Sequence, residues 1–194
     1  MIPRVLNANS SAPTLTDAAA VEALSQGQIG ALGFLYDRYS AAVYEFVRRA
    51  TSDENDIDDL VQATFLSAAK AASTHDGRQA CRPWLVGIAA RILYRRRRGL
   101  SRWARALREL TYRDADEYAD PHRELSARDE VSRLSAALAK LSEPKRVVLL
   151  LAEAEQQSCE EIAQALQIPV GTVWTRLHHA RRDLRKLLER KDGQ

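Results

Sequence analysis

The sequence predicts an all-α protein of two small helical domains joined by a flexible acidic linker. Three observations predict it. Apolar residues recur at helical spacing in two separate stretches, and strict apolar–polar alternation is absent. Between them, residues 99–130 lose the apolar period and collect acids, scattered tyrosines and Pro121. Near the C-terminus a capped short helix, a Pro/Gly turn and a basic helix follow one another as in a helix-turn-helix.

The chain has 194 residues, room for one medium domain or two small ones. Hydrophobic residues make up 45% and charged residues 28%, a globular rather than disordered balance. The net charge of +3 conceals segregated blocks. Asp53 to Asp59 holds five acids and no base, and Arg91 to Arg108 holds eight arginines and no acid. Thr172 to Lys191 holds seven basic residues against two acids. Such a chain can meet a protein with one face and nucleic acid with another. Cys81 and Cys159 lie far apart in helical patterns and read as reduced, partly buried thiols. No run approaches the ~18 apolar residues of a membrane span. The N-terminus lacks the basic start and apolar run of a signal peptide, so a soluble intracellular protein is expected.

Residues 1–24 read as a flexible tail, with helix becoming possible from Thr16. Residues 25–98 form the first domain. Its first stripe is Leu32, Leu35, Tyr36, Tyr39, Val43, Phe46 and Val47, and Thr51-Ser52-Asp53 ends it with capping residues. The second is Ile57, Leu60, Val61, Phe65, Ala68 and Ala69, broken at residues 73–77. Pro83 opens the third, with Trp84, Leu85, Ile88, Ala89, Ile92 and Leu93. Three or four helices of this kind close a small core. Residues 99–130 are the linker, although Leu100–Leu110 can extend a helix. Residues 131–191 form the second domain, with Leu134, Leu138 and Leu141, then Ser142-Glu143-Pro144, then a helix over Val147–Ala154.

The helix-turn-helix completes that domain. Ser158 and Glu161 have the spacing in which each side chain covers the other's free backbone N–H. Pro169 suits the turn, and Gly171 tolerates tight geometry there. At 100° per residue, Val173, Leu177, Ala180, Leu184 and Leu188 share one face of the last helix, which packs inward. Thr175, His178, His179, Arg182 and Lys186 lie opposite, with Thr172 and Arg176 on the flank. Base edges are read near a recognition helix's N-terminus, which favours Thr172, Thr175, Arg176 and His179. Arg181, Arg182, Arg185 and Lys186 sit where phosphates pass.

Two other blocks stay open on physics alone. Arg95 to Arg98 can meet phosphate, or can be a solvated helix end whose cations complement the dipole. Trp84 beside them reads as core rather than a base-stacking platform. The acids Asp53, Glu54, Asp56, Asp58 and Asp59 can complement a helix N-terminus, hold Mg²⁺, or bind a basic partner, and the dipole reading is favoured.

Taken together, these residues resemble the extracytoplasmic-function (ECF) class of bacterial sigma factors, over residues 28–98 and 131–190. Phe34-Leu35-Tyr36-Asp37-Arg38-Tyr39 looks like the opening helix of that family's sigma-2 domain. Residues 56–66 are similar to its next helix, which binds the clamp helices of core RNA polymerase. Pro83 to Ala89 and the arginines beyond resemble the helix that melts and reads the minus-ten element. Val170 to Arg181 resembles the minus-35 helix of the sigma-4 domain.

The resemblance implies polymerase contacts at Asp56, Asp58, Asp59, Gln62 and Phe65. It implies minus-ten and melting contacts at Asp76, Gly77, Arg78, Trp84, Arg91, Arg95 and Arg96, with the 76–79 loop capturing a flipped base. It implies minus-35 contacts at Thr172, Trp174, Thr175, Arg176, His178, His179, Arg181 and Arg182. The linker becomes a segment threading toward the polymerase active-site channel. The implied partners are core RNA polymerase through its β′ clamp helices, promoter DNA and an anti-sigma factor wedged between the domains. No membrane insertion, cofactor, metal or catalytic residue is implied. The implied location is the cytoplasm: at the nucleoid in holoenzyme, or at the membrane when an anti-sigma factor holds the chain there. This chain departs from the family pattern at Ala63, Gly87, Arg91, Trp174 and His179, where an acid, Arg, Asn, Lys or Arg, and Arg are common. The rival readings are a polymerase-independent helix-turn-helix regulator, a metal nuclease built on Asp56, Asp58 and Asp59, and a sigma-like decoy.

Overall fold

Thr16 starts the first ordered helix by accepting a hydrogen bond from the Ala19 N–H at 3.2 Å. The structure is a computed structural model and describes residues 16–51, 53–75, 80–110 and 129–189, without the side chains of 98–110 and 129–131. Among them are eight helices: α1 (Asp17–Ser25), α2 (Gly30–Ala50), α3 (Ile57–Ala71), α4 (Cys81–Leu110), α5 (Asp129–Lys140), α6 (Glu143–Glu153), α7 (Cys159–Leu166) and α8 (Val170–Glu189). No strand occurs among the described residues.

Two boundaries move from those expected. Residues 17–24, assigned to a flexible tail, form α1 and bury Ala20, Val21 and Leu24 in the first core. Asp17 anchors this helix by accepting from the Tyr39 hydroxyl and pairing with Arg38 at 3.4 Å. Only three of its nine residues are buried, and most of its apolar residues are alanines, so no periodic stripe stands out. At the other end, α4 runs on to Leu110, so the helix extension open at Leu100–Leu110 is taken and the linker is shorter than 99–130. The remainder of the linker, 111–128, and the loop 76–79, with the expected contacts Asp76, Gly77 and Arg78, lie outside the described residues.

Helices α1–α4 bury most of the predicted stripes, with Leu35, Val43, Val47, Phe65 and Leu85 enclosed, but Tyr36 stays 46% exposed, and Val86, outside the stripes, is buried as well. Helices α5–α8 bury Val147 to Leu151, Ile162, Leu166, Val173 and Leu177. Pro144 sits in the first turn of α6, where its missing N–H costs nothing. The two sets of helices do not stand apart. Helix α4 packs along α7, and α2 meets α5 and α6, so one apolar core is continuous across both.

Candidate nucleic-acid and polymerase interface

The helix-turn-helix forms as its caps dictate. The Glu161 N–H donates to Ser158 Oγ at 3.2 Å, and the Ser158 N–H donates to Glu161 Oε2 at 2.7 Å. The turn is made differently from expectation. Its left-handed residue is Gln167, at φ 57°, while Gly171 lies inside the first turn of α8 with open space around it. A left-handed Gln is disfavoured by roughly 1–2 kcal/mol. Two bonds offset it: the Ile168 N–H reaches Ala163 O at 3.1 Å, and the Gln167 side-chain oxygen accepts from Arg95 at 2.8 Å.

Helix α8 turns Val173, Leu177 and Ala180 inward as predicted. Trp174, Thr175, His178, Arg181 and Arg182 are exposed, and the Trp174 indole keeps 58% of its surface open. Thr172, Arg176 and His179 are half-buried. Thus Thr175 alone among the four favoured base readers is fully presented. Its hydroxyl donates back to Gly171 O at 2.9 Å. Arg176 lies with its guanidinium 5.2 Å from the centre of the Tyr94 ring on α4, within cation–π range. Among the phosphate candidates, Arg181 pairs with Glu153 at 2.7 Å and Arg182 with Asp183 at 3.1 Å. Both pairs are exposed, contribute little, and can exchange for phosphate.

On α4 the arginines have separate fates. Arg96 pairs with Asp56 at 2.5 Å, which holds the Asp56 carboxyl below its ordinary range. A proposed DNA contact and a proposed polymerase contact therefore bind each other. Arg95 is exposed and engaged with Gln167. Arg91 is half-buried; burial lowers its pKa, and Arg95 adds repulsion. Trp84 is half-buried with its ring edge-on to His75 at 4.7 Å, so it packs as the physics favoured.

On α3, Asp58, Asp59 and Gln62 form one exposed row. Phe65 does not join it. It is 3% exposed, and its ring meets Tyr36 edge-on at 4.9 Å, which corrects its assignment as a polymerase contact. The apolar group on the exposed row is Leu66, 53% exposed and four residues beyond Gln62. The same 3.6-residue period that buried Phe65 would have found it.

No three His, Cys, Asp or Glu side chains among the described residues converge on a point that could hold a metal ion. No described helix is long and apolar enough to cross a membrane. Cys81 and Cys159 are free thiols, and burial raises the pKa of Cys81.

Comparison with known proteins places this arrangement. Residues 35–103 match the sigma-70 region 2 family, and residues 132–184 match sigma-70 region 4. The chain is 33% identical over 184 residues to RNA polymerase sigma factor NccH of Alcaligenes xylosoxydans xylosoxydans, covering 90% of this chain and 98% of that one. It is 29% identical to ECF RNA polymerase sigma factor SigL of Mycobacterium tuberculosis, covering 88% and 96%. Its fold is similar to CnrH in complex with the cytosolic domain of CnrY (TM-score 0.56, 28% identity, 89% and 97% covered). It also resembles the fold of RpoE in complex with the anti-sigma factor NepR from Bartonella quintana (TM-score 0.59, 23% identity, 79% and 94% covered). The chain therefore belongs to the ECF class of the sigma-70 family, as an RNA polymerase sigma factor directing promoter-specific transcription.

Proposed function

We propose that the exposed row Asp58, Asp59, Gln62 and Leu66 on α3 is where this chain binds the β′ clamp helices of core polymerase. The acids supply charge complementarity, and the exposed leucine is an apolar anchor that binding would bury. The N-terminal half of α8 reads the minus-35 element, with Trp174, Thr175 and His178 foremost because they are the side chains that α8 presents. Arg181 and Arg182 take phosphates. Arg91, Arg95 and Arg96 follow the backbone at the minus-ten element, and Asp76, Gly77 and Arg78 capture the flipped base. The chain contributes positioning and strand separation, and the chemistry of transcription belongs to the polymerase. It works in the cytoplasm, with an anti-sigma factor as a further protein partner.

One observation carries this reading: the two regions matched to sigma-70 present an acidic–apolar row on one helix and a polar, basic face on another. Transcription in vitro with purified core polymerase, on a pooled library of upstream regions from the source genome, tests it. Discrete starts that require this protein are expected. Polymerase binding without starts would favour the decoy, and neither would favour a plain helix-turn-helix regulator.

A further inference from the structure

Helix α1 runs antiparallel to α2, because the short connection 26–29 joins them. Its first turn is fixed against the middle of α2: Asp17 accepts from the Tyr39 hydroxyl and pairs with Arg38 at 3.4 Å. The N-terminal end of α1 therefore opens toward residues 41–49 of α2, away from Gly30.

That stretch of α2 is where a groove lies. Ala41, Ala42 and Phe46 of α2 face Leu150 and Ala154 at the end of α6 across it. Its volume is about 250 Å³. Pockets that enclose a free small molecule run to roughly 300–1,000 Å³, so this one is better matched to a few side chains of a peptide.

The rim is charged in pairs. Arg49 is held by Glu45 at 3.2 Å, and Arg82 forks onto Glu155 with two bonds of 3.1 Å. The Glu155 side chain is 8% exposed against 54% for Arg82, so the acid lies deep and the arginine covers it from outside. A carboxylate has about four lone-pair sites and Arg82 takes two, which leaves room for a second cation on Glu155 without displacing the first.

The chain holds a segment of matching chemistry at the place where α1 opens. Residues 1–15 lie outside the described residues. Their one charged side chain is Arg4, within the apolar run Met1-Ile2-Pro3-Arg4-Val5-Leu6. Tyr39 and Glu45 are about 9 Å apart along the α2 axis, at about 1.5 Å per residue. A ten-residue step, as from Leu6 to Thr16, has a root-mean-square span of roughly 17 Å. The run therefore reaches the groove with length to spare. A tether of this kind supplies an effective concentration on the order of a millimolar, so even a weak contact stays filled. A second copy of the chain, or a separate protein, has no such advantage.

We propose that the groove between α2 and α6 is a binding site for a short apolar peptide carrying one cation, and that Ile2–Leu6 of this same chain occupy it, with Arg4 on Glu155 and the aliphatic side chains over Phe46 and Leu150. The site is filled in cis, and an outside peptide of the same chemistry has to compete with the chain's own segment. Its surface is separate from the α3 row and from the exposed face of α8, so it adds a binding site to those proposed for polymerase and promoter.

Photo-cross-linking in the full chain tests this. Leu6 is replaced by p-benzoylphenylalanine, the protein is irradiated at low micromolar concentration, and the tryptic peptides are mapped. Adducts are expected on the peptides 39–48 and 147–176, which carry the two walls of the groove. Adducts absent, or scattered over other peptides, would overturn the proposal. Adducts that join two chains and fall away on dilution would also overturn it, in favour of a second copy as the occupant. Two variants probe the chemistry. Ala154→Trp fills the groove from an exposed position and is expected to lower the adduct yield by about fivefold or more, with the helical circular dichroism unchanged. Arg4→Glu lies outside every described helix and so leaves the fold alone. It sets a carboxylate against Glu45 and Glu155 and is expected to lower the yield by about threefold or more. A yield that neither variant changes would sink the assignment of residues 2–6 to this groove.

Discussion

Arg176, on α8, proposed to read the minus-35 element, is held with its guanidinium 5.2 Å from the Tyr94 ring on α4, proposed to follow the minus-ten element. One cation thus serves two surfaces that cannot use it together. In the free protein, Arg176→Ala is expected to loosen the contact of α8 with α4, read as faster amide exchange along α8. In holoenzyme the same substitution is expected to cost about 1–3 kcal/mol at one promoter position. An equal loss on every promoter would mark Arg176 as a phosphate contact instead.

The α3 row separates contact from core. Asp58→Arg with Asp59→Arg is expected to abolish core polymerase binding while leaving the helical circular dichroism and melting temperature near those of the parent, because both side chains are exposed. Leu66→Asp is expected to do the same. Phe65→Ala is expected to act through stability, losing about 3–5 kcal/mol as a large buried ring is removed. Polymerase affinity measured on the folded fraction checks the division. A Phe65→Ala protein that stays fully stable but cannot bind polymerase would return Phe65 to the contact surface.

Most helices are legible in the sequence because their apolar residues keep a 3.6-residue period across three or more turns. The Ser158–Glu161 box marks the start of α7 because its chemistry is local. What escapes is non-local. Nothing near Gln167 says that it, rather than Gly171, takes the left-handed corner, because an acceptor for Arg95 on another helix rewards a glutamine there. Arg146 reads as one more surface cation, and only the fold brings four carbonyls around it. The α3 face is the intermediate case: its helical period places Phe65 inward and Leu66 outward, whereas the family resemblance alone points to Phe65.

Acid should loosen the first bundle in a defined window. The carboxyl of Glu45 is held down to about 2 from its ordinary 4.5, first by its hydrogen bond to Arg48 and further by Arg49. A depressed folded pKa means the contribution is fully present above the ordinary value and is lost as pH falls from about 4.5 toward 2. Both partners are exposed pairs within one helix, so the effect is a few tenths of a kcal/mol rather than the full linkage value. Melting temperature against pH for the parent and Glu45→Gln checks it. The two curves should converge below about pH 2.5 and separate slightly above pH 5, given that window. Curves parallel throughout would mean the Arg48 pair contributes nothing.

Trp174 gives the sharpest handle on promoter sequence. Its indole is 58% exposed in the first turns of α8, beside Thr175, whose hydroxyl is turned back to Gly171 O. Together they present mainly apolar surface at the N-terminal end of α8. In the major groove, the group that apolar surface recognises is the thymine methyl. Replacing single thymines of the minus-35 element by deoxyuridine removes that methyl and nothing else. One such replacement is expected to weaken the parent's promoter binding by about fourfold, the equivalent of about 0.8 kcal/mol for a buried methylene-sized group. The same replacement should leave Trp174→Ala unaffected, because the group that sensed the methyl is gone. If the parent is indifferent to deoxyuridine at every minus-35 position while still selecting its promoter, Trp174 reads no methyl. Its exposed ring would then be available to a protein partner, and promoter choice would fall to Thr175, His178 and the arginines behind them.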